Sequence, residues 1–141
     1  MHKIFSLIIA TCMAGCQSVA TRSEPVSIQS MIVKEATLQG VPTHIALGLA
    51  ETESTFKPNA TSKGNYGIMQ IRLGTARGLG FKGSVKALMA PETNIKYGML
   101  YLNECYAKYH DIPLMIGCYN GHASLKNPYV KKVLKNAKKY N

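Results

Sequence analysis

Acidic side chains are scarce in this sequence: 7 Asp plus Glu stand against 17 Lys plus Arg in 141 residues, a formal net charge of +10. Such a balance points to an anionic partner, whether nucleic acid, membrane surface or acidic polymer, and charge alone does not choose among them. No internal repeat or long linker divides the chain, which bounds it to one domain long enough to bury a core. No strict polar–apolar alternation supports an extended sheet, although residues Asn59 to Tyr66 have the turn formers of a small hairpin. The histidines, His2, His44, His110 and His122, do not pair with Cys or carboxylates at metal-ligand spacing, so no metal site is expected. No Gly-rich loop is followed by Lys-Ser/Thr to cradle phosphates, and the basic residues are scattered without a nucleic-acid module. The expectation is a domain with no cofactor and no nucleic-acid partner.

The one long apolar run, Ile4 to Ala14 after His2 and Lys3, is too short to span a bilayer and has the shape of a signal peptide covering residues 1–15. Met13-Ala14-Gly15-Cys16 resembles a bacterial lipobox with Met13 in place of the usual Leu. That resemblance implies that Cys16 is lipidated and anchors the chain to a membrane, and Gln17 after it favours the outer membrane. Ser18-Val19-Ala20 is a competing small-residue cleavage site that would release a soluble periplasmic protein. Residues 16–26 then form a tether and residues 27–141 the domain. With Cys12 removed and Cys16 lipidated, Cys105 and Cys118 remain, each six or seven residues from the middle of a His110 to Pro113 turn. An antiparallel helix pair would set them facing each other, either as a disulfide suited to an exported protein or as two buried thiols.

Helical periodicity dominates the rest. Ile28, Met31, Ile32, Ala36 and Leu38 space one helix from Ser27 to Gln39 with Gly40 as its stop, and Pro42-Thr43 opens a second from Thr43 to Phe56. Arg77 to Gly83 is Gly-punctuated and reads as loop. A long helix runs from Pro91 to about Tyr109, a shorter one from Pro113 to about Gly121, and a last one from Pro128 with Val130, Val133, Leu134 and Ala137 on its apolar face. Lys131, Lys132, Lys135, Lys138 and Lys139 surround that face.

In the second helix Ile45, Ala46, Leu49 and Phe56 fall on one apolar face, and Glu53 falls there too, whereas Glu51 points away with Leu47. A carboxyl held on a half-buried apolar face is desolvated, which raises its pKa and suits it to general-acid work. The plainer account is a boundary residue reaching solvent. Few other acids compete for a role. A two-carboxylate glycosidase needs partners about 5 to 9.5 Å apart. Glu24 lies in the tether, Glu35 in another helix, Glu92 at a helix start, Glu104 inside the long helix, Asp111 in a turn and Glu51 on the wrong face. The chain offers an acid without an obvious second base.

Glu53-Ser54-Thr55-Phe56, a short loop, then Gly67-Ile68-Met69-Gln70, followed by Thr75-Ala76-Arg77, Pro91 to Gly98, Tyr101-Leu102 and Tyr119-Asn120, is similar to the lytic transglycosylases of the lysozyme superfamily. The resemblance spans about Ile28 to Val133. It implies a mainly α, α+β lysozyme-like fold with an irregular or hairpin segment beside the active-site helix. It also implies cleavage of the β-1,4 bond between N-acetylmuramic acid and N-acetylglucosamine in peptidoglycan glycan strands, leaving a 1,6-anhydro sugar, with Glu53 acting first as acid and then as base. Ser54, Met69, Gln70, Tyr119 and Asn120 match positions lining the family's cleft, with Tyr119 orienting Glu53 and Gln70 bonding sugar groups. Tyr66 would stack on a sugar ring, or, like Met69, pack in the core. Small members of the family serve wall turnover or open a gap for an envelope-spanning secretion machine. The loop between Ala60 and Gly67 is a residue shorter than the common form, and Gly121-His122 leads quickly to Pro128, which puts the shape of that cleft end in question. A goose-type lysozyme-like hydrolytic muramidase and a non-catalytic wall-binding lipoprotein are the competing readings.

Overall fold

A computed structural model describes residues 25–141. The expected signal peptide, the lipidation site Cys16 and the alternative cleavage after Ala20 lie outside the described residues.

Three helices begin and end on the signals expected of them. In α1 (Ile28–Gln39) the Ser27 side chain accepts the Ser30 N–H and Gly40 closes the far end at φ 69°. Ile32 and Ala36 are its buried residues, while Leu38, expected on the same face, is 68% exposed because it lies a third of a turn off that stripe. The long α5 (Pro91–Tyr109) starts at its proline and ends at His110 in the left-handed region. It turns back into α6 (Ile112–Tyr119), capped by the Asp111 carboxylate, which accepts the Leu114 N–H at 2.8 Å. The turn is therefore shorter than expected, and α6 begins at Ile112. A Cys105–Cys118 disulfide ties the pair, Cα atoms 5.8 Å apart. Its 13-residue spacing makes it worth roughly 3 kcal/mol on the loop-entropy account.

The central element is α2 (Thr43–Ser54), in which every residue from Ile45 to Ala50 is buried. The expectation of one apolar face with Leu47 on a solvent side is thereby corrected: Leu47 is 7% exposed because neighbours pack on both sides. One neighbour is α7 (Pro128–Ala137), with a short 3-10 turn Lys138–Tyr140 after it. The two helices approach so closely that a Cβ on Gly48 would lie 2.5 Å from the Ala137 nitrogen. The expected Thr43 to Phe56 helix also stops early. Thr55 and Phe56 both turn to positive φ, 51° and 61°, and swing the chain away after Ser54.

That swing feeds a three-stranded antiparallel sheet, β1 (Thr61–Ser62), β2 (Asn65–Tyr66) and β3 (Ile71–Arg72), in that order. Its first turn, Lys63-Gly64, has φ of 50° and 80°, the paired positive values of a tight hairpin. The hairpin was expected and the third strand was not. Beyond it come α3 (Leu73–Gly78) and α4 (Val85–Leu88), so the loop expected from Arg77 begins only after Gly78. Both helices are too short to print a period on the sequence. Ile71, Ala76, Phe81 and Leu88 form a small second core under the sheet, while the main core lies between α1, α2, α5, α6 and α7.

Asn94, fully buried near the start of α5, ties sheet to helices. Its Oδ1 accepts the Met69 N–H at 2.7 Å, and its Nδ2 donates to the Tyr66 carbonyl at 2.8 Å and the Leu88 carbonyl at 3.0 Å. Gly67 must be glycine beside it, since its φ is 75° and a Cβ would come 2.4 Å from Asn94 Nδ2.

Candidate active site

The last turn of α2 brings Glu53 to one wall of a cleft of about 360 Å³, opposite β3, α3 and the end of α6. Asn65, Gln70, Arg72, Thr75, Tyr119 and Asn120 are among its lining residues. Among the described residues Glu53 is the one carboxyl lining this cleft. The other described acids do not line it: Glu51 borders the adjoining groove and is held by Lys139 and Tyr140, Glu35 accepts from the Gln39 amide, Asp111 caps α6, Glu104 is exposed on α5, and Glu92 borders a hollow beside α1.

Glu53 is half-buried, and its Oε1 accepts a short hydrogen bond from the Tyr129 hydroxyl on the first turn of α7. Burial raises its pKa above the ordinary carboxylate value, and the hydrogen bond from Tyr129 and the charge of Lys132 offset only part of that rise. The Tyr129 hydroxyl is itself pushed far up, first by burial and then by the neighbouring carboxyl, so it stays a donor. The cleft therefore contains an acid that holds its proton to higher pH than an exposed glutamate, fixed in direction by a phenol that does not ionise.

Tyr119, not Tyr129, was expected to orient Glu53. Tyr119 does stand in the cleft wall, its ring tilted on Tyr101 at 5.2 Å, but its hydroxyl donates to the Met69 carbonyl at 2.7 Å. It holds up the far wall, and the hydrogen bond to Glu53 comes from α7. Tyr129 carried one signal in the sequence, a position four residues before Val133 and eight before Ala137, on the stripe that docks α7 against α2.

The remaining expected residues divide between lining and support. Asn120 is exposed at the cleft end of α6 beside Gly121. Gln70 lines the cleft at φ 48°, and its Nε2 donates to the carbonyls of Ala60 at 3.1 Å and Gly67 at 2.9 Å, which fixes the carboxamide in place. Met69 is fully buried against Gly98 and does not open to the cleft, because its backbone is spent on Asn94 and Tyr119. Ser54 is buried too, its hydroxyl donating to the Ile68 carbonyl at 2.7 Å and bracing α2 against the returning chain. Tyr66 packs its ring on the second core, while its neighbour Asn65, tied to Arg72 Nε at 3.3 Å, faces the cleft instead. Asn65, Arg72, Thr75, Tyr101 and Asn94 were not singled out from the sequence as site residues. Among the described residues no cluster of His, Cys, Asp and Glu is placed to hold a metal ion.

A buried helix that delivers one acid to a cleft, with a small antiparallel sheet as the facing wall, is the lysozyme-like arrangement. Within that class the chain belongs to the Transglycosylase SLT domain family, which it matches over residues 30–141. It is 37% identical over 89 residues to the membrane-bound lytic murein transglycosylase C of Histophilus somni, strains 2336 and 129Pt, a match covering 57% of this chain and 24% of those proteins. The chain thus spans about a quarter of the length of the curated relatives it matches. In fold it is similar to lytic transglycosylase Slt of Pseudomonas aeruginosa (TM-score 0.71, 24% identity, 82% of this chain and 24% of that one). It also resembles the 70-kDa soluble lytic transglycosylase of Escherichia coli (TM-score 0.62, 25% identity, 81% of this chain and 19% of that one).

Proposed function

We propose that the protein is a peptidoglycan lytic transglycosylase in which Glu53 serves in turn as acid and base. The observation that carries this reading is the solitude of Glu53: the cleft has a half-buried carboxyl whose pKa burial raises, and no second carboxylate among the described residues lines it. Protonated Glu53 gives its proton to the bridging oxygen as the bond from muramoyl C1 breaks, while the sugar's own N-acetyl oxygen stabilises C1. The carboxylate so formed then takes the proton of the C6 hydroxyl as that oxygen bonds to C1. One C–O bond is lost and one made, no water is consumed, and Glu53 ends as it began. Holding the C6 hydroxyl and C1 in one residue replaces an activated water by an intramolecular nucleophile of high effective molarity. Gln70, Asn120 and Asn65 would bond the sugars' amide and hydroxyl groups, with Ser54, Met69 and Tyr119 supporting the walls.

The lipobox-like Met13 to Cys16 supports a chain processed after residue 15, lipidated at Cys16, tethered by residues 16–26 and anchored in the outer membrane facing the periplasm. A relative named as membrane-bound supports the same placement. Anchored there, the domain of residues 27–141 would cut glycan strands within reach of its tether, for wall turnover or to admit an envelope-spanning secretion machine.

Mass spectrometry of muropeptides released from purified sacculi tests the reaction. The expected product ends in 1,6-anhydro-N-acetylmuramic acid, lighter by one water than the hydrolysed sugar. Reducing-end muramic acid would instead make the protein a muramidase, and binding without release would leave a wall-binding lipoprotein.

A further inference from the structure

Beyond Glu53 the cleft continues into a shallower groove of about 400 Å³ that shares Glu53 and Gln70 with it. Its far wall is built by α7. Tyr129, Lys132 and Asn136, spaced i, i+3 and i+7, form one polar stripe facing the end of α2. Tyr129 donates to Glu53, Asn136 Nδ2 donates to Thr52 Oγ1 at 3.0 Å, and Lys132 stands between them over the groove. Thr61 and Ser62 of β1, both exposed, border the opposite side.

The carboxyls of this groove already have partners. Glu51 borders it, but its carboxylate is held by Lys139 Nζ at 2.6 Å and by the Tyr140 hydroxyl at 2.9 Å. Glu53 Oε1 is taken by the Tyr129 hydroxyl. The ion pair found among the described residues is Lys139–Glu51, so Lys132, whose charge reaches Glu53 only at longer range, makes no salt bridge to a carboxylate of the described chain. The Thr52 hydroxyl is spent on the Gly48 carbonyl at 2.7 Å, but those of Thr61 and Ser62 face Lys132 across the groove, a set of donors that suits an anion with oxygen atoms to share.

We infer that Lys132 binds a carboxylate carried by the substrate strand where it runs past Glu53, so that the site selects carboxylate-bearing glycan over neutral glycan. This rests on the transglycosylase reading for the identity of the strand. In peptidoglycan a carboxylate comes from one of two sources: the lactyl ether of a muramoyl residue free of peptide, or the stem peptide. Either presents the same chemistry to the ammonium group.

The test measures binding to the full domain carrying Glu53→Gln, which prevents turnover, with and without Lys132→Met. Three probes are compared: an N-acetylglucosamine hexamer, glycan strands with their stems, and the same strands after an amidase has stripped the stems and exposed the lactyl carboxylates. Lys132 is exposed on α7, so the Met variant should fold as the parent does. The expected result is about a 5-fold weaker Kd for carboxylate-bearing strands, a shallower salt dependence, and unchanged binding of the neutral hexamer. Lys132→Arg should retain most of the affinity. A loss confined to stripped strands assigns the lactyl carboxylate, a loss confined to stem-bearing strands assigns the peptide, and a loss with both shows that Lys132 takes either. Equal weakening for the neutral hexamer, or no change with any strand, overturns the role of Lys132 and leaves the transglycosylase reading standing. A Glu53→Gln domain that binds no glycan at all removes that reading together with the inference.

Discussion

Glu51 and Glu53 are two residues apart on the last turn of one helix, and the fold treats them in opposite ways. Glu51 meets Lys139 and Tyr140 from the 3-10 turn, and the Lys139 hydrogen bond leads the causes that hold its carboxyl below the usual range. Glu53 meets Tyr129 from the start of α7, and burial leads the causes that push it up. Both partners come from one C-terminal segment folded along α2, the 3-10 end supplying a cation and the α7 start a phenol. A carboxyl that ionises at lower pH and one that holds its proton to higher pH thus come from where a single helix lies, not from separate motifs.

The largest break in this comparison is expected from Glu53→Gln, which keeps the shape and removes the proton. Lysis of sacculi should fall by at least about 1,000-fold, while Glu51→Gln stays within about twofold, since a carboxylate held by Lys139 and Tyr140 takes no part. Equal losses in a clearing assay would mean that the two carboxyls share the work.

Tyr129→Phe comes next. Removing the hydroxyl leaves Glu53 buried without its orienting bond and should lower kcat by about tenfold, the scale of one hydrogen bond to a charged group. That bond favours the charged carboxyl, so its loss should also move the pH profile of kcat upward. Tyr140→Phe, the matching change at Glu51, should alter neither. A Tyr129→Phe enzyme of normal rate and unshifted profile would reduce the contact to packing.

Stability sharpens the contrast further. A carboxyl whose folded pKa is raised contributes its full stability below the unfolded pKa and loses it as pH rises through the folded value. Gln does not titrate. Glu53→Gln should therefore melt with the wild type near pH 3 and above it at pH 7, the gap opening as Glu53 ionises. A gap that closes with rising pH would contradict the burial argument.

How much of this was legible in the sequence follows from what each contact depends on. Ser27 with Gly40, Pro91 and Pro128 mark helix ends because capping is local, and α1, α5 and α7 lie where those residues set them. Glu53 was legible as an odd polar residue in an apolar stretch, but the face argument behind it was too simple. A helix buried all round has no solvent side for periodicity to reveal, as Leu47 demonstrates. Tyr129 was missed because it stands 76 positions from Glu53, and the approach that joins them depends on Gly48 fitting against Ala137. Met69 and Ser54 sit inside the recognisable motif, yet adjacency along a chain does not say which side chains turn inward. Only Asn94 and the Ile68 and Met69 backbone decide that.

The smallest expected effect is at the Glu51 ion pair. Its folded pKa is lowered, so its contribution is present above the unfolded pKa and is lost as pH falls through the folded one, the reverse of Glu53. The pair is open to solvent on the Lys139 side, whose side chain is 53% exposed against 19% for Glu51, so screening and side-chain entropy take back much of the Coulomb gain. Lys139→Met at pH 7 should cost less than about 0.5 kcal/mol, and that cost should shrink as salt rises from 50 mM toward roughly 1 M, where the Debye length is about 3 Å. Glu51→Gln should remove the same increment, and the double variant should lose little more than either single one, since either single change already removes the one interaction the two share. A loss of several kcal/mol that salt does not touch would show that Glu51 anchors the 3-10 turn on α2. The two carboxyls would then differ in what they hold in place as well as in their charge.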